Sequence, residues 1–384
     1  MHTFFTRTLL FFVVQHVYLF WRFHSLLGKR SLFWITLPWF ICTGLFTLIF
    51  LYLPQDSQSQ HIFGNISRIW QGFAYFCMLV FIARDLLRSG GWLTRRFFPD
   101  TGRRLEERMD RTEGKCLAFG AVALFALVFT YGMYESANPR LTSLEIPTEK
   151  LPADVDHVRI VFVSDLHISP RFGGEQLERV VNLILEQKPD CILLGGDILD
   201  DARQGTPGDF GQLSRLRAPL GTFAVLGNHD AFGDSARPAA ALRQAGITVL
   251  SAQQVEAGPL AIIGVDDPLV SEQKERRTDD PMPLLTKANS AQFTILLDHR
   301  PKLRPESIGL FDLQLSGHSH GGQIFLLEPL LRAIYHAPTG FSARTAEQGT
   351  SRLFITTGLG FSKRLPIRLL RPPELVVLDI VARK

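Results

Sequence analysis

Cysteine is scarce in this 384-residue chain: Cys42, Cys77, Cys116 and Cys191 are all it has. No two of them form a CxxC pair, which excludes a zinc knuckle and a disulfide framework, and each reads as a small buried apolar residue. Charge of one sign is also lacking. Lys and Arg number 41 against 37 Asp and Glu, a formal net charge of +4. No basic stripe interleaved with aromatics stands out in the polar part of the chain, so nucleic acid is not an expected partner. There is no internal repeat and no low-complexity segment. Mean hydropathy is +0.10, a value that decides little by itself. The distribution says more, because the first third is rich in Phe, Leu and Trp and the rest is ordinary globular sequence.

Four apolar stretches precede Asn138. Phe33 to Leu53 is 21 residues without a charge and Cys116 to Tyr134 is 19; each is long enough for a hydrocarbon core of about 30 Å. Ile69 to Ala83 is shorter, but Arg68 and Arg84 flank it and can snorkel to the interfaces. Phe4 to Phe23 carries Arg7, Gln15 and His16; it reads as a retained or an interfacial helix, since a small-residue cleavage site is missing. Nine Lys and Arg lie between Arg84 and Lys115, against Arg68 alone in the loop from Pro54. The basic segment is therefore expected in the cytoplasm. The expectation is a multi-pass cytoplasmic (inner) membrane protein, residues 1–137 forming an all-α membrane domain of about four helices. Everything after Tyr134 would then face the extracytoplasmic side.

Residues 138–154 are polar and proline-spaced and read as a linker with an edge strand near Leu144–Ile146. After them, short apolar runs alternate with helical patterns, and strands dominate toward the end. Strands are expected at Val158–Ser164, Cys191–Leu194, Thr222–Leu226, Leu260–Val265, Phe293–Leu297, Leu313–Ser316, Gln323–Phe325, Leu353–Thr356 and Leu375–Ile380. Helices are expected at Leu177–Leu185 and Ala239–Ala245. The fold class this predicts for 155–384 is an α/β sandwich, with sheets packed between helices.

The chemistry sits where strands stop. Five apolar strands run into clusters of Asp, Asn or His: Asp165-Leu-His167, Gly195-Gly-Asp197, Gly227-Asn-His-Asp230, Asp298-His299 and Gly317-His-Ser-His320-Gly-Gly322. Ligands of open α/β sheets bind beyond the carboxyl ends of strands, so all five should converge. Carboxylates, imidazoles and one amide without a thiolate suit Mn²⁺, Fe or Zn²⁺. Seven candidate ligands exceed what one tetrahedral ion needs. Two divalent ions can clamp an in-line displacement at phosphorus and acidify a bridging water.

These strings resemble the calcineurin-like metallophosphoesterase family, whose pattern is D-x-H, G-D-x-x-D, G-N-H-D/E, a lone His and G-H-x-H. Here they are Asp165-Leu-His167, Gly196-Asp197-Ile-Leu-Asp200, Gly227-Asn-His-Asp230, His299 and Gly317-His-Ser-His320. The strings Ser-Gly-His-Ser-His-Gly-Gly-Gln and Arg-Pro-Pro-Glu374 look like its membrane-anchored bacterial YkuE/YaeI-type branch. The resemblance implies a four-layer α/β/β/α sandwich over about 155–381 and two divalent metals, Mn²⁺ foremost. It implies that Asp165, His167 and His320 hold one ion, that Asn228, His299 and His318 hold the other, and that Asp197 bridges them. His229 would contact a phosphoryl oxygen or protonate the leaving group, with Asp230 orienting its ring. Asp200 is a candidate support for the ligands or a helix cap.

Arg300, Lys363, Arg364 and Arg368 are candidate anion contacts, Arg300 and Arg364 foremost. Phe341, Phe361 and Leu326–Ile334 are either an apolar rim for a lipid chain or core. The expected activity is a phosphodiesterase or pyrophosphohydrolase on a lipid-linked or membrane-proximal phosphate, with membrane lipids as partners. Alternatives are cleavage of the pyrophosphate of UDP-2,3-diacylglucosamine, and a non-catalytic metal-binding membrane sensor.

Overall fold

The computed structural model describes residues 13–22, 24, 37, 41, 58–101, 115–169, 174–200, 208–274, 276–336, 339–346, 349–360 and 367–383. The chain divides into two compact units, Met1–Tyr131 and Gly132–Lys384.

In the first unit residues 13–22 are helical, followed by α1 (Gln58–Phe97) and α2 (Lys115–Ala137), whose last turns belong to the second unit. Leu19 packs with Ala74, Cys77 and Phe81, and Tyr18 Oη donates to Asp85 at 2.8 Å. The apolar stretch Ile69–Ala83 lies inside α1 and Cys116–Tyr134 inside α2. Phe33–Leu53 falls outside the described residues except for positions 37 and 41, as does half of Phe4–Phe23. Among the described residues, no helix is long and apolar enough to cross a membrane, so the two expected spans that fall within α1 and α2 are not seen as such. Charges Arg84, Asp85 and Arg88 interrupt α1, and the side chains of 115–119, 121 and 122 in α2 lie outside those described.

The second unit is built on two six-stranded sheets. The first contains β1 (Arg140–Thr148), β2 (His157–Val163), β3 (Cys191–Gly195), β4 (Thr222–Val225), β5 (Thr248–Val249) and β12 (Glu374–Ala382), in the order β1-β12-β2-β3-β4-β5. The second contains β6 (Gln253–Ala257), β7 (Leu260–Gly264), β8 (Phe293–Leu297), β9 (Leu313–Ser316), β10 (Gly340–Ala346) and β11 (Gly349–Ile355), in the order β10-β11-β9-β8-β7-β6. Strands β2 to β5 are parallel, as are β7, β8, β9 and β11. Strands buried on both faces need continuous apolar runs, and β3, β7 and β8 are buried at every position.

The faces of the sheets form the layers. Phe162, Leu193, Val225, Ile262, Ile295, Leu315 and Leu378 meet between them. On the far face of the first sheet, α3 (Gly174–Glu186) packs Leu177, Val181 and Ile184, and α4 (Ala236–Gln244) packs Ala239 and Leu242. On the far face of the second, Ile263, Leu296 and Phe311 meet Leu285 of the short helix Met282–Leu285. Helix, sheet, sheet and helix follow one another, as a metallophosphoesterase sandwich requires.

Two expectations need correction. The edge strand expected near Leu144–Ile146 is present but longer: β1 runs from Arg140 to Thr148 through much of the stretch read as a linker, paired in parallel with β12 over its whole length, and an edge strand tolerates Pro147. Gln323–Phe325 is no strand. Gly321, Gly322 and Gln323 all take positive φ, and the chain turns there into helix α5 (Glu328–Tyr335), keeping a single bridge, Ile324 to Leu369.

Candidate metal centre

The parallel strands deliver their carboxyl ends to one rim. Asp165 and His167 follow β2, Asp197 follows β3, Asn228 and His229 follow β4, His299 follows β8, and His318 and His320 follow β9. Five of these, Asp165, His167, Asp197, His318 and His320, have φ between 49° and 66°. Asp and His tolerate that left-handed region better than most residues, yet each instance holds strain of about 1–3 kcal/mol. The turns fold back tightly enough to need glycine beside the ligands. A Cβ on Gly227 would lie 2.2 Å from Asp197 Oδ1, and one on Gly317 would lie 2.1 Å from Asp165 Oδ2.

The candidate ligand atoms fall into three overlapping groups, each within 4.8 Å of one another: Asp165, His167 and His320; His167, Asp197 and His229; Asp197, His299 and His318. Nε2 of His167 and Nε2 of His320 stand 3.1 Å apart. Asp165 Oδ1 is 3.6 Å from His320 Nε2, and Asp197 Oδ2 is 3.8 Å from His167 Nε2 and 3.3 Å from His299 Nε2. Backbone groups aim the ligands. The His318 N–H donates to both oxygens of Asp165 (3.0 and 3.1 Å), and the His229 N–H donates to Asp197 Oδ1 at 2.7 Å. His299 Nδ1–H donates to the Gly195 carbonyl at 2.8 Å, which leaves Nε2 to face Asp197.

This donor set fits divalent cations. His299 Nε2 and Asn228 Oδ1 are buried without a hydrogen-bond partner, a state that costs about 1–3 kcal/mol per group unless a ligand is supplied. Buried imidazole nitrogens facing each other, with carboxylates between, want positive charge. The proton equilibria agree. Burial disfavours charge on His299, but the carboxylates of Asp197 and Asp165 outweigh it and push the ring up to about 10. Burial would likewise raise Asp197, but His299, His167 and His229 hold it well below the usual carboxylate range. His320 is lowered by burial and by its neighbour His167.

Three further residues are placed differently from expectation. Asp230 does not orient the His229 ring. Its buried carboxylate accepts from the backbone N–H of Gly227 (2.9 Å), Leu199 (2.9 Å) and Ile198 (3.2 Å), clamping the turn after β4 to the turn after β3. The His229 ring is anchored by Asp200 instead, Nδ1–H donating to its carbonyl at 2.8 Å. Arg300 is no free anion contact. Asp267 receives its Nε at 2.5 Å and a second nitrogen at 3.1 Å. Arg368 is fully buried, its guanidinium donating to the carbonyls of Thr357, Gly358, Gly360 and Arg371. It braces the loop whose Gly360 N–H donates to the Asp165 carbonyl at 2.7 Å.

Arg364, with Lys363 and Phe361, lies outside the described residues, as does the side chain of Phe341. One residue at the site was not foreseen. The ring of Tyr335 stands edge-on to His318 with centroids 6.3 Å apart, and burial raises its hydroxyl pKa, so it remains a neutral donor. It sits in an apolar run that carries no signal of chemistry.

Residues 158–322 match the family described as Calcineurin-like phosphoesterase. The chain is 32% identical over 256 residues to an uncharacterized metallophosphoesterase of Aquifex aeolicus, covering 66% of this chain and 96% of that protein. It is 31% identical over 290 residues to the uncharacterized metallophosphoesterase YkuE of Bacillus subtilis, covering 71% and 98%. A cattle protein named transmembrane protein with metallophosphoesterase domain is 26% identical over 363 residues, covering 88% of this chain and 78% of its own length. The chain belongs to the calcineurin-like metallophosphoesterases, and it is a metal-dependent phosphoesterase with YkuE among its relatives.

Proposed function

We propose that the chain is a dinuclear phosphodiesterase or pyrophosphohydrolase acting on a lipid-linked or membrane-proximal phosphate. The observation that carries the two-metal reading is the overlap of the three ligand groups, in which Asp197 is shared between the His167 side and the His299 side. Asp165, His167 and His320 would hold one ion, and Asn228, His299 and His318 the other, with Asp197 common to both. Mn²⁺ suits this oxygen and imidazole set, with Fe or Zn²⁺ as alternatives. When bound, the pair supplies Lewis-acid charge and acidifies water at neutral pH.

The side chains do the rest. His229 is anchored through Nδ1, so Nε2 is the atom left to exchange a proton with the leaving oxygen. Burial, and then His167, lower its pKa against the pull of Asp197. A phosphoryl anion beside the ring would raise it again and load the proton where it is used.

Membrane attachment is part of the proposal. The support is the uncharged run Cys116–Tyr134 within α2, the nine basic residues before it, and an alignment to the cattle transmembrane protein that takes in more of the chain than residues 132–384. The basic segment, on the cytoplasmic side, would set the catalytic unit on the extracytoplasmic face of the cytoplasmic membrane. That side disfavours a substrate made in the cytoplasm, such as UDP-2,3-diacylglucosamine. The sensor reading is disfavoured by the anchored His229, which a metal-binding scaffold does not need.

The test is hydrolysis of a chromogenic phosphodiester by the full chain in detergent, with and without Mn²⁺. The Asp197→Asn and His229→Gln variants are assayed beside it, and bound metal is counted in each. The expected result is metal-dependent turnover. His229→Gln should lose about 10²–10⁴ in kcat while keeping its metal, and Asp197→Asn should lose metal as well. Full metal occupancy with no turnover would sink the enzymatic reading and restore the sensor.

A further inference from the structure

Among the described residues, the catalytic unit exposes one concentrated apolar surface. Phe325, Leu326, Leu327, Leu330 and Ile334 are 43%, 65%, 44%, 57% and 56% exposed, and Leu370 is 54% exposed. No residue of α5 (Glu328–Tyr335) is buried. Single exposed leucines are ordinary, but a contiguous cluster marks a contact surface. The pieces are joined through the backbone: the Phe325 N–H donates to the Leu369 carbonyl at 3.0 Å, and the Leu369 N–H donates to the Gln323 carbonyl at 2.8 Å.

Three observations say what covers it. The first is continuity. The Arg368 N–H donates to the Gly132 carbonyl at 3.1 Å, so the last turns of α2, with exposed Met133 and Tyr134, adjoin the segment that carries Leu370. The second is charge. Gly317 to Pro373 contains seven Lys and Arg but only Glu328 and Glu347 as acids. Glu328 is neutralised, pairing with Arg371 at 3.3 Å and accepting from Thr339, while Arg332 stands exposed in α5. The third is position. Tyr335 ends α5 against His318, and a Cβ on Gly322 would lie 2.8 Å from Leu327 Cβ, so the apolar surface flanks the ligand loop directly. An apolar helix face carrying exposed Arg332, in a segment rich in Lys and Arg and continuous with the end of a helix whose run Cys116–Tyr134 is uncharged, matches an anionic bilayer interface.

We propose that Phe325–Leu327, Leu330, Ile334 and Leu370 dock in the headgroup and acyl boundary of an anionic bilayer, holding the mouth of the metal centre against phosphates of lipids that stay in the membrane. This rests on the membrane-proximal phosphoesterase reading and specifies its substrate class.

The experiment uses the full chain carrying Leu326→Trp, reconstituted into vesicles of phosphatidylcholine and phosphatidylglycerol with plain or brominated acyl chains. Bromine quenches indole only on near contact, and the signal read is the variant minus the wild type. Insertion predicts that brominated chains remove about half or more of that extra fluorescence. An unquenched signal in protein that has entered the vesicles overturns the proposal. So does a blue shift in detergent that grows with protein concentration, which would show a second copy covering the patch. So does shielding that appears only when a single-chain lipid phosphodiester is added, which would show a substrate groove. Because this readout needs no turnover, quenching without hydrolysis leaves the docking surface standing while the phosphoesterase reading falls.

Discussion

Asp230 stands in the turn after β4, where its buried carboxylate ties that turn to the one after β3. Its position after His229 suggested a ring partner, yet its carboxylate takes three backbone N–H groups from two different turns. Replacing Asp230 by Ala should therefore destabilise the catalytic unit by about 3 kcal/mol, since each buried donor left unpaired costs about 1–3; urea unfolding measures it. His299 carries a pH dependence whose sign can be worked out. Its folded pKa of about 10 exceeds the ordinary 6.5. In the metal-free protein its contribution to stability is fully present below pH 6.5 and is lost as pH rises toward 10. Metal binding runs the other way, because the ligand must shed its proton. Affinity for Mn²⁺ should rise by about tenfold per pH unit over that window and level off above it, which titration calorimetry in two buffers reads directly as proton release.

At the scale of elements, the turns after strands decide the site. Asp165, Asp197 and three histidines sit in left-handed backbone, and Gly227 and Gly317 let neighbouring turns touch the carboxylates. Gly317→Ala should push Asp165 away from the His318 N–H and lower metal affinity by about 10–100-fold, with little change in far-ultraviolet circular dichroism. The strands themselves were legible in the sequence. Val158–Ser164, Cys191–Leu194 and Phe293–Leu297 are short apolar runs ended by polar clusters, and each is a strand within a residue or two. Helix α5 was not legible as a surface element, because an apolar run looks the same whether it faces a core or something outside the chain.

For the whole molecule, the strain and the unpaired imidazoles of the metal centre imply that bound cations stabilise the fold. At a thousandfold excess over the dissociation constant, binding adds about 4 kcal/mol. Chelation should then lower the melting temperature of the full chain by on the order of 10 °C, measured by calorimetry with EDTA and again after Mn²⁺ is restored; an unchanged midpoint would mean the native site holds no tightly bound metal. The catalytic unit carries the two sheets and the candidate metal centre.

The sequence alone determined the candidate ligand inventory, because Asp, Asn and His end five buried apolar runs in strings that together resemble one family. It also determined the alternation of strands and helices, which follows from local apolar periodicity. Only the tertiary structure decided which partner each polar group takes. Asp230 serves three backbone donors, Asp200 anchors His229, Asp267 holds Arg300, and buried Arg368 braces the loop behind Asp165. These pairings join residues far apart in the chain or on adjacent turns. Satisfying buried polar groups is a property of packed space, and no local pattern of residues carries it.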